Sequence, residues 1–384
     1  MTYQREKQRI SSSEILQAIA NGEDIKLYRC SVSGHLDINR LFSKDESFNT
    51  DKLSQHQEHG KTVITFSQQI NFNECEFEDN LFFSGSWGQV DNLQVVFKRD
   101  TSFNLSIIHG QCRFDKVVFR GAAGFDGCEF KRVASFKNTS FHSSAYFRTA
   151  SFAGYALMSG SVFNRESSFA NTYFGKGGNF KGVIFRGRTN FSDVYSGSRS
   201  VPVYESVKFE RYRYGEGEPF WRFVKQAAQE AGYYQLAGES FYNERCANLW
   251  KRFLGSDFDT APLLKKIARM FLGIRLLPEV VFGRGLFGYG ERPIRVLFAA
   301  ALVIVGCAFY YHNSGNILYQ GEPFELGVFD SLYFSSITFA TLGLGDFYPE
   351  AGTIGRVVVM LESLSGACLV ALFIVCLAKR FSRG

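Results

Sequence analysis

Residues 339–349 read Phe-Ala-Thr-Leu-Gly-Leu-Gly-Asp-Phe-Tyr-Pro. The groups with chemical use here belong to the backbone. Gly343 and Gly345, two apart, let the chain take conformations of alternating hand, which can turn successive carbonyls the same way. A row of carbonyls along one path can replace the water shell of a bare cation. The hydroxyl of Thr341 can add a further layer of oxygens. Asp346 closes the segment, and Glu362 then places a carboxyl inside a long apolar run. An acid in such a run is costly unless it faces a cavity or a partner. Glu362 is expected to brace the glycine turn through Ser335, Ser336 or Thr338, as a proton-sensitive element, or else to face the cation path. Other chemistry is poorly supplied. The six His are dispersed, and the chain shows no His/carboxylate metal cluster, phosphate-binding glycine loop or nucleophile elbow. Neither an enzyme nor a cofactor is expected.

The turn needs elements to hold it. Residues 294–312 and 353–378 are each apolar for about one bilayer width. Tyr310 and Tyr311 suit an interfacial aromatic belt. Arg284, Arg292 and Arg295 precede the first run, Lys379, Arg380 and Arg383 follow the second, and residues 313–355 hold no Lys or Arg. That asymmetry predicts both termini in the cytoplasm and the intervening loop outside. Residues 329–340 suit a short helix of about three turns, too short to span. Non-helical backbone at membrane depth survives only where it is buried in protein or lines an aqueous path.

Two spans, a short helix between them and a Thr-x-Gly-x-Gly-Asp turn ahead of the second span resemble the two-transmembrane potassium-channel superfamily, over residues 293–381. The resemblance implies a pore helix and a selectivity filter in which Thr341, Leu342, Gly343, Leu344 and Gly345 hold potassium ions. It implies four copies around one axis, a homotetramer, with Asp346 supporting the filter, beside the role that Glu362 is given by its position. Leu342 departs from the family's Val or Ile, and Leu344 from its Tyr or Phe, so no hydroxyl or ring braces the filter from behind. Potassium preference is expected, with looser rejection of sodium. Gly366, eleven residues after Gly355, stands where related pore-lining helices carry a hinge glycine; close helix packing is the other reading.

Phe accounts for 41 of 384 residues and aromatics for 16%, an excess that needs a structural cause. Phe103, Phe114, Phe125, Phe136, Phe147, Met158, Phe169, Phe180 and Phe191 step by eleven, as do Phe97, Ile108, Phe119, Phe130, Phe141, Phe152, Phe163, Phe174 and Phe185. Together they alternate steps of five and six, a repeat architecture. A helix fails, because five residues turn it by about 500° and separate the two series. Two places before each apolar residue sits a smaller one, such as Ala123, Ala134 and Ala145, or Cys128, Thr139 and Ala150. Period-two spacing puts both on one side of an extended segment. This resembles the pentapeptide-repeat proteins, over residues 60–195 and more weakly from Ile25, with a register break between Phe83 and Phe97. The resemblance implies a right-handed, four-sided β-solenoid of roughly 22 residues per coil. Residues 97–200 carry 15 basic and 6 acidic side chains. That balance argues against mimicry of DNA. It leaves an unidentified protein or ligand, an anionic lipid surface or a plain structural cap, and no nucleic-acid partner is expected.

The eight Cys form no C-x-x-C pair and read as reduced, buried thiols. The first ten residues hold no apolar core, so no secretory leader is expected. The resulting fold class is mixed. Residues 1–24 read as a capping helix with Ser11 and Glu14 in capping-box spacing, and 25–200 as the solenoid. Residues 201–260 read as a helical connector, 261–292 as an amphipathic interfacial segment on the bilayer, and 293–384 as an all-α, two-helix pore domain. The leading reading is a cation channel of the plasma (inner) membrane with a cytoplasmic solenoid that organises assembly or gating. The alternative is a membrane-anchored interaction protein, which leaves the glycine turn without a use.

Overall fold

The computed structural model describes residues 1–42, 48–58, 60–84, 93–211, 214–255, 258, 261–314 and 317–381. Arg383, and part of the stretch between Phe83 and Phe97 where a register break is expected, lie outside these residues. The chain divides into two units, Met1–Lys266 and Ile267–Gly384.

In the first unit the paired small and large residues make two-residue strands. One coil runs Ala123–Gly124, Glu129–Phe130, Ala134–Ser135 and Ser140–Phe141. Each strand pairs in parallel with the one a coil later: Ala123 with Ala145, Glu129 with Ser151, Ala134 with Ala156, Ser140 with Val162. The step is 22 residues, and the strands stack into four sheets of eight, six, eight and eight. Only Ser54–Glu58 pairs antiparallel among the described strands of these sheets.

The backbone explains the alternating five and six. Leu105, Lys116, Gly127, Asn138, Thr149, Gly160, Asn171, Gly182 and Asp193, eleven apart, all have positive φ. Each falls within a five-residue step, where the left-handed residue tightens the corner; the six-residue steps from Phe97 to Phe169 turn without one. Inside, most Phe rings stack on a counterpart one coil away. Phe103 and Phe125 lie 5.4 Å apart, Phe125 and Phe147 5.0 Å, Phe119 and Phe141 5.1 Å. Neighbouring columns meet edge to face, as do Phe125 and Phe136 at 5.2 Å, the offset geometry that ring quadrupoles favour. The smaller residue leaves room for these rings. Where it is polar, its group can bond to the backbone: Thr139 Oγ1 donates to the Phe114 carbonyl at 2.6 Å and Thr172 Oγ1 to that of Phe147 at 2.7 Å, whereas Ser167 Oγ is buried without a partner among the described residues.

Both ends of the stack are covered. Helix α1 (Ser12–Ala20) starts at Ser11 with the capping box to Glu14 formed, and buries Ile15, Leu16 and Ile19. Strands begin ahead of it, however: Thr2–Glu6 and Arg9–Ser11 pair with Asp24–Tyr28 and Ser31–Ser33. The first coil therefore lies within residues 1–24, and α1 is an excursion from it. At the other end strands continue to Lys208–Phe209. Phe220 of α2 (Glu218–Glu230) then lies 5.1 Å from Phe191 and 5.5 Å from Phe209. α3 (Tyr234–Leu254) packs along α2. Between the two helices, Glu218 meets Lys251 at 2.9 Å, while Glu244 meets Arg222 at 3.0 Å and Lys225 at 2.6 Å.

α4 (Leu263–Gly273) leaves Leu264 and Phe271 exposed. In the second unit α5 (Pro293–Ser314) and α7 (Ile354–Phe381) are long and apolar enough to cross a membrane. The protein is a membrane protein with two spans. Between them lie α6 (Val328–Phe339) and a small antiparallel sheet of Ile317–Tyr319, Glu322–Pro323 and Phe347–Pro349.

Candidate functional site

The site begins where α6 ends. The Thr341 N–H donates to the Thr338 carbonyl at 3.0 Å and the Leu342 N–H to the Ile337 carbonyl at 2.9 Å. This pair of bonds closes a helix in the Schellman manner, with the left-handed position usually taken by Gly. Here Thr341 takes it, at φ 58. A β-branched residue in that region is an outlier that surrounding structure must hold. Gly343 (φ 48) and Gly345 (φ 79) repeat the sign at alternate positions, and Leu342 and Leu344 between them do not. The segment is unpacked within one chain. Leu342 and Leu344 are 68% and 67% exposed, and a Cβ on Gly343 or Gly345 would meet nothing within 4 Å.

Both flanks of the segment are tied down. The Tyr333 hydroxyl, from α6, donates to Asp346 Oδ2 at 3.0 Å, and the Phe347 N–H donates to Asp346 Oδ1 at 3.0 Å. Tyr319 pairs with Phe347 in the small sheet, and their rings lie 5.1 Å apart.

Behind α6, Glu362 of α7 is buried. Its Oε2 accepts from the Tyr311 hydroxyl of α5 at 2.6 Å. Its Oε1 meets the Ser335 hydroxyl of α6. Ser335 also lies 2.8 Å from the Ile304 carbonyl of α5. Of the three hydroxyls expected near Glu362, Ser335 is the one in contact; the Thr338 carbonyl receives Ser363 Oγ instead, at 3.3 Å. Tyr311 does not sit in an aromatic belt. It is 1% exposed, because its hydroxyl is committed to Glu362. Gly366 lies against the end of α6, where an added Cβ would stand 2.0 Å from the Phe339 carbonyl oxygen. Close packing thus accounts for this glycine, and α7 continues through it without a break.

The site brings together Thr341–Asp346 as one continuous segment, backed by Glu362 and Gly366. Among the described residues no three His, Cys, Asp or Glu gather as metal ligands. A cation at this segment would meet backbone carbonyls and the Thr341 hydroxyl. Sequence reasoning missed Tyr333 and the partner role of Tyr311. Tyr333 could have been found as an aromatic hydroxyl on α6 one turn and a half before its end; Tyr311 is one of two adjacent tyrosines and carries no separate signal.

Residues 298–383 match the family model for ion channels. Residues 114–155 and 125–172 match pentapeptide repeats. The chain thus joins an ion-channel segment to a pentapeptide-repeat segment. It is 32% identical over 122 residues to a Rhodopseudomonas palustris protein named as a candidate potassium channel protein. The match covers 31% of this chain and 27% of that relative, so the chain spans little more than a quarter of the relative's length. No solved structure matches the chain.

Proposed function

We propose that this protein is a homotetrameric, potassium-preferring channel of the plasma membrane. In this reading four copies of Thr341, Leu342, Gly343, Leu344 and Gly345 surround one axis and α6 serves as the pore helix. The observation that carries it is the alternating sign of φ along Thr341–Gly345, in a segment that one chain leaves exposed. Alternation turns successive carbonyls to one side, which a dehydrated cation requires. Exposed leucines on that same segment need neighbours, and three more copies supply them. Asp346 and Glu362 act as braces, through Tyr333 on one side and Tyr311 and Ser335 on the other. Leu344 brings no hydroxyl or ring to the brace, so rejection of sodium rests on fewer contacts.

Both termini lie in the cytoplasm, by the distribution of Lys and Arg around the spans. The four-sided solenoid is right-handed and organises assembly or gating there. α4, with Lys265, Lys266 and Arg269 beside exposed Leu264 and Phe271, lies along the membrane surface.

Planar-bilayer recording of the purified protein, with potassium on one side and sodium on the other, tests this reading. Current with a reversal potential displaced toward that of potassium supports it. Absence of current from protein that is folded and inserted leaves the spans as an anchor, and the reading fails.

A further inference from the structure

The last coil of the solenoid is irregular. Coils elsewhere in residues 93–196 step by 22, as from Ala156 to Gly178 and from Tyr173 to Tyr195. Asn179 instead pairs with Val203 and Ile184 with Lys208, a step of 24. The two extra residues fall in Ser196-Gly-Ser-Arg-Ser-Val-Pro202, which bulges from the coil. Ser200 Oγ pins the bulge by donating to the Gly175 carbonyl at 2.9 Å.

The bulge walls a cleft of about 500 Å³ that also involves the α2–α3 connection. Its lining includes Tyr155, Lys176, Arg199, Val201 and Tyr233. The register explains why a cleft exists. Gly177 stacks between Tyr155 of the preceding coil and Val201 of the next. With φ 105 it holds a conformation that disfavours any side chain. The column therefore lacks one side chain where its neighbours have large ones.

The lining has a definite chemistry. Lys176 and Arg199 are exposed, and among the described residues neither lies within ion-pair distance of an acid. Some cations of the same solenoid are paired, such as Arg148 with Asp126 and Lys181 with Glu205; Lys176 and Arg199 are set apart by facing one cleft. Arg199 is held at φ 63, a non-glycine residue in left-handed backbone. Tyr155 and Tyr233 are 52% and 60% exposed, and phenol rings left in water beside a cleft offer a surface for stacking. The volume falls within the usual range of small-molecule sites.

We propose that this cleft binds a small organic anion carrying a planar ring, of the nucleoside monophosphate class. Lys176 and Arg199 hold the phosphate, and Tyr155, Tyr233 and Val201 cover the ring. The site opens on the connection that leads from the solenoid into α3, so occupancy stiffens that connection. This inference does not rest on ion conduction.

The test is calorimetric titration of the full chain in lipid nanodiscs with AMP and UMP, and with adenosine and inorganic phosphate as half-ligands. At least one nucleotide is expected to bind ten or more times as tightly as either half-ligand. Lys176→Ala/Arg199→Ala should weaken that binding at least tenfold with an unchanged melting temperature. Lys98→Ala/Arg120→Ala, which removes equal charge elsewhere on the solenoid, should leave it unchanged. Failure of both nucleotides to bind overturns the proposal. So does equal loss in the two double variants, or phosphate binding as tightly as the nucleotides.

Discussion

The Tyr311 hydroxyl of the first span donates across 2.6 Å to Glu362 Oε2 of the second. Ser335 joins the same carboxyl from α6, so one buried side chain fastens three helices directly behind the glycine segment. Glu362→Ala leaves the Tyr311 hydroxyl without a partner, whereas Ser335 keeps the Ile304 carbonyl. The variant is expected to cost about 1–3 kcal/mol for the group so stranded, read as a lower melting temperature of the assembly in detergent. Glu362→Gln keeps an acceptor for Tyr311 and gains a donor for Ser335, so assembly should survive. Any pH response carried by this carboxyl should vanish in the same variant. A pH response unchanged in Glu362→Gln removes the proton-sensitive role.

Gly366 permits α7 to touch the carbonyl end of α6. Gly366→Ala drives a methyl against the Phe339 carbonyl oxygen, and overpacking of this kind costs about 1–3 kcal/mol. The contact lies immediately before Thr341, so the variant is expected to lose current before it loses fold. Current at the level of the parent protein, with full assembly, would show that α7 can shift without consequence.

Tyr333→Phe removes one hydrogen bond from Asp346 and changes nothing else in volume. The net cost should be about 0.5–1.5 kcal/mol. It is expected as shorter open times and a reversal potential moved toward that of sodium, with assembly unaffected. A channel with unaltered open times and selectivity would mean that the small sheet alone fixes Asp346.

Thr341→Gly relieves the left-handed strain of a β-branched residue while deleting a hydroxyl. If only the backbone mattered, relief of about 1–3 kcal/mol of strain should exceed the roughly 0.4–1 kcal/mol of unfolded-chain entropy that Gly adds, so stability should rise and conduction should persist. Loss of conduction together with a higher melting temperature is the expected result. It would identify the Thr341 hydroxyl as an ion ligand and the strain as the cost of placing it.

Glu218 links α2 to α3. Burial raises its pKa, but hydrogen bonds from Lys251 and Asn248 and the charges of Lys251 and Arg222 outweigh that, so it lies below its ordinary value of 4.5. A carboxylate depressed in the folded state contributes stability above its unfolded pKa, near 4.3, and loses it as pH falls through the folded value. Glu218→Gln should destabilise the hairpin by about 1.5–3 kcal/mol at pH 7. It should also flatten the loss of stability on acidification below about pH 4.3. Melting curves over a pH series would check both.

Periodicity made the solenoid legible. Steps of five and six, with a small residue two before each Phe, determine which side chains face inward. The corner rule was not legible, because left-handed positions hold Leu105, Lys116, Asn138 and Thr149 as readily as Gly127 and Gly160. Sheet stacking there overrides residue preference. The leading strands Thr2–Glu6 and Arg9–Ser11 were hidden because their partners lie 22 residues on, beyond an intervening helix. In the membrane unit, hydropathy gave the spans and glycine spacing gave the turn. Tyr311 could not be assigned from sequence, since hydropathy cannot tell a tyrosine at an interface from one satisfied by a buried acid.

Each coil of the solenoid touches only the coils before and after it, with identical register from Ala123 through Ser151 to Val162. Excising 22 residues from that middle, or duplicating them, would rejoin every column of rings in phase. The terminal coil and its helical lid would move by one strand spacing, about 4.8 Å, with their own surfaces intact. Rod length is therefore separable from the structure of its two tips.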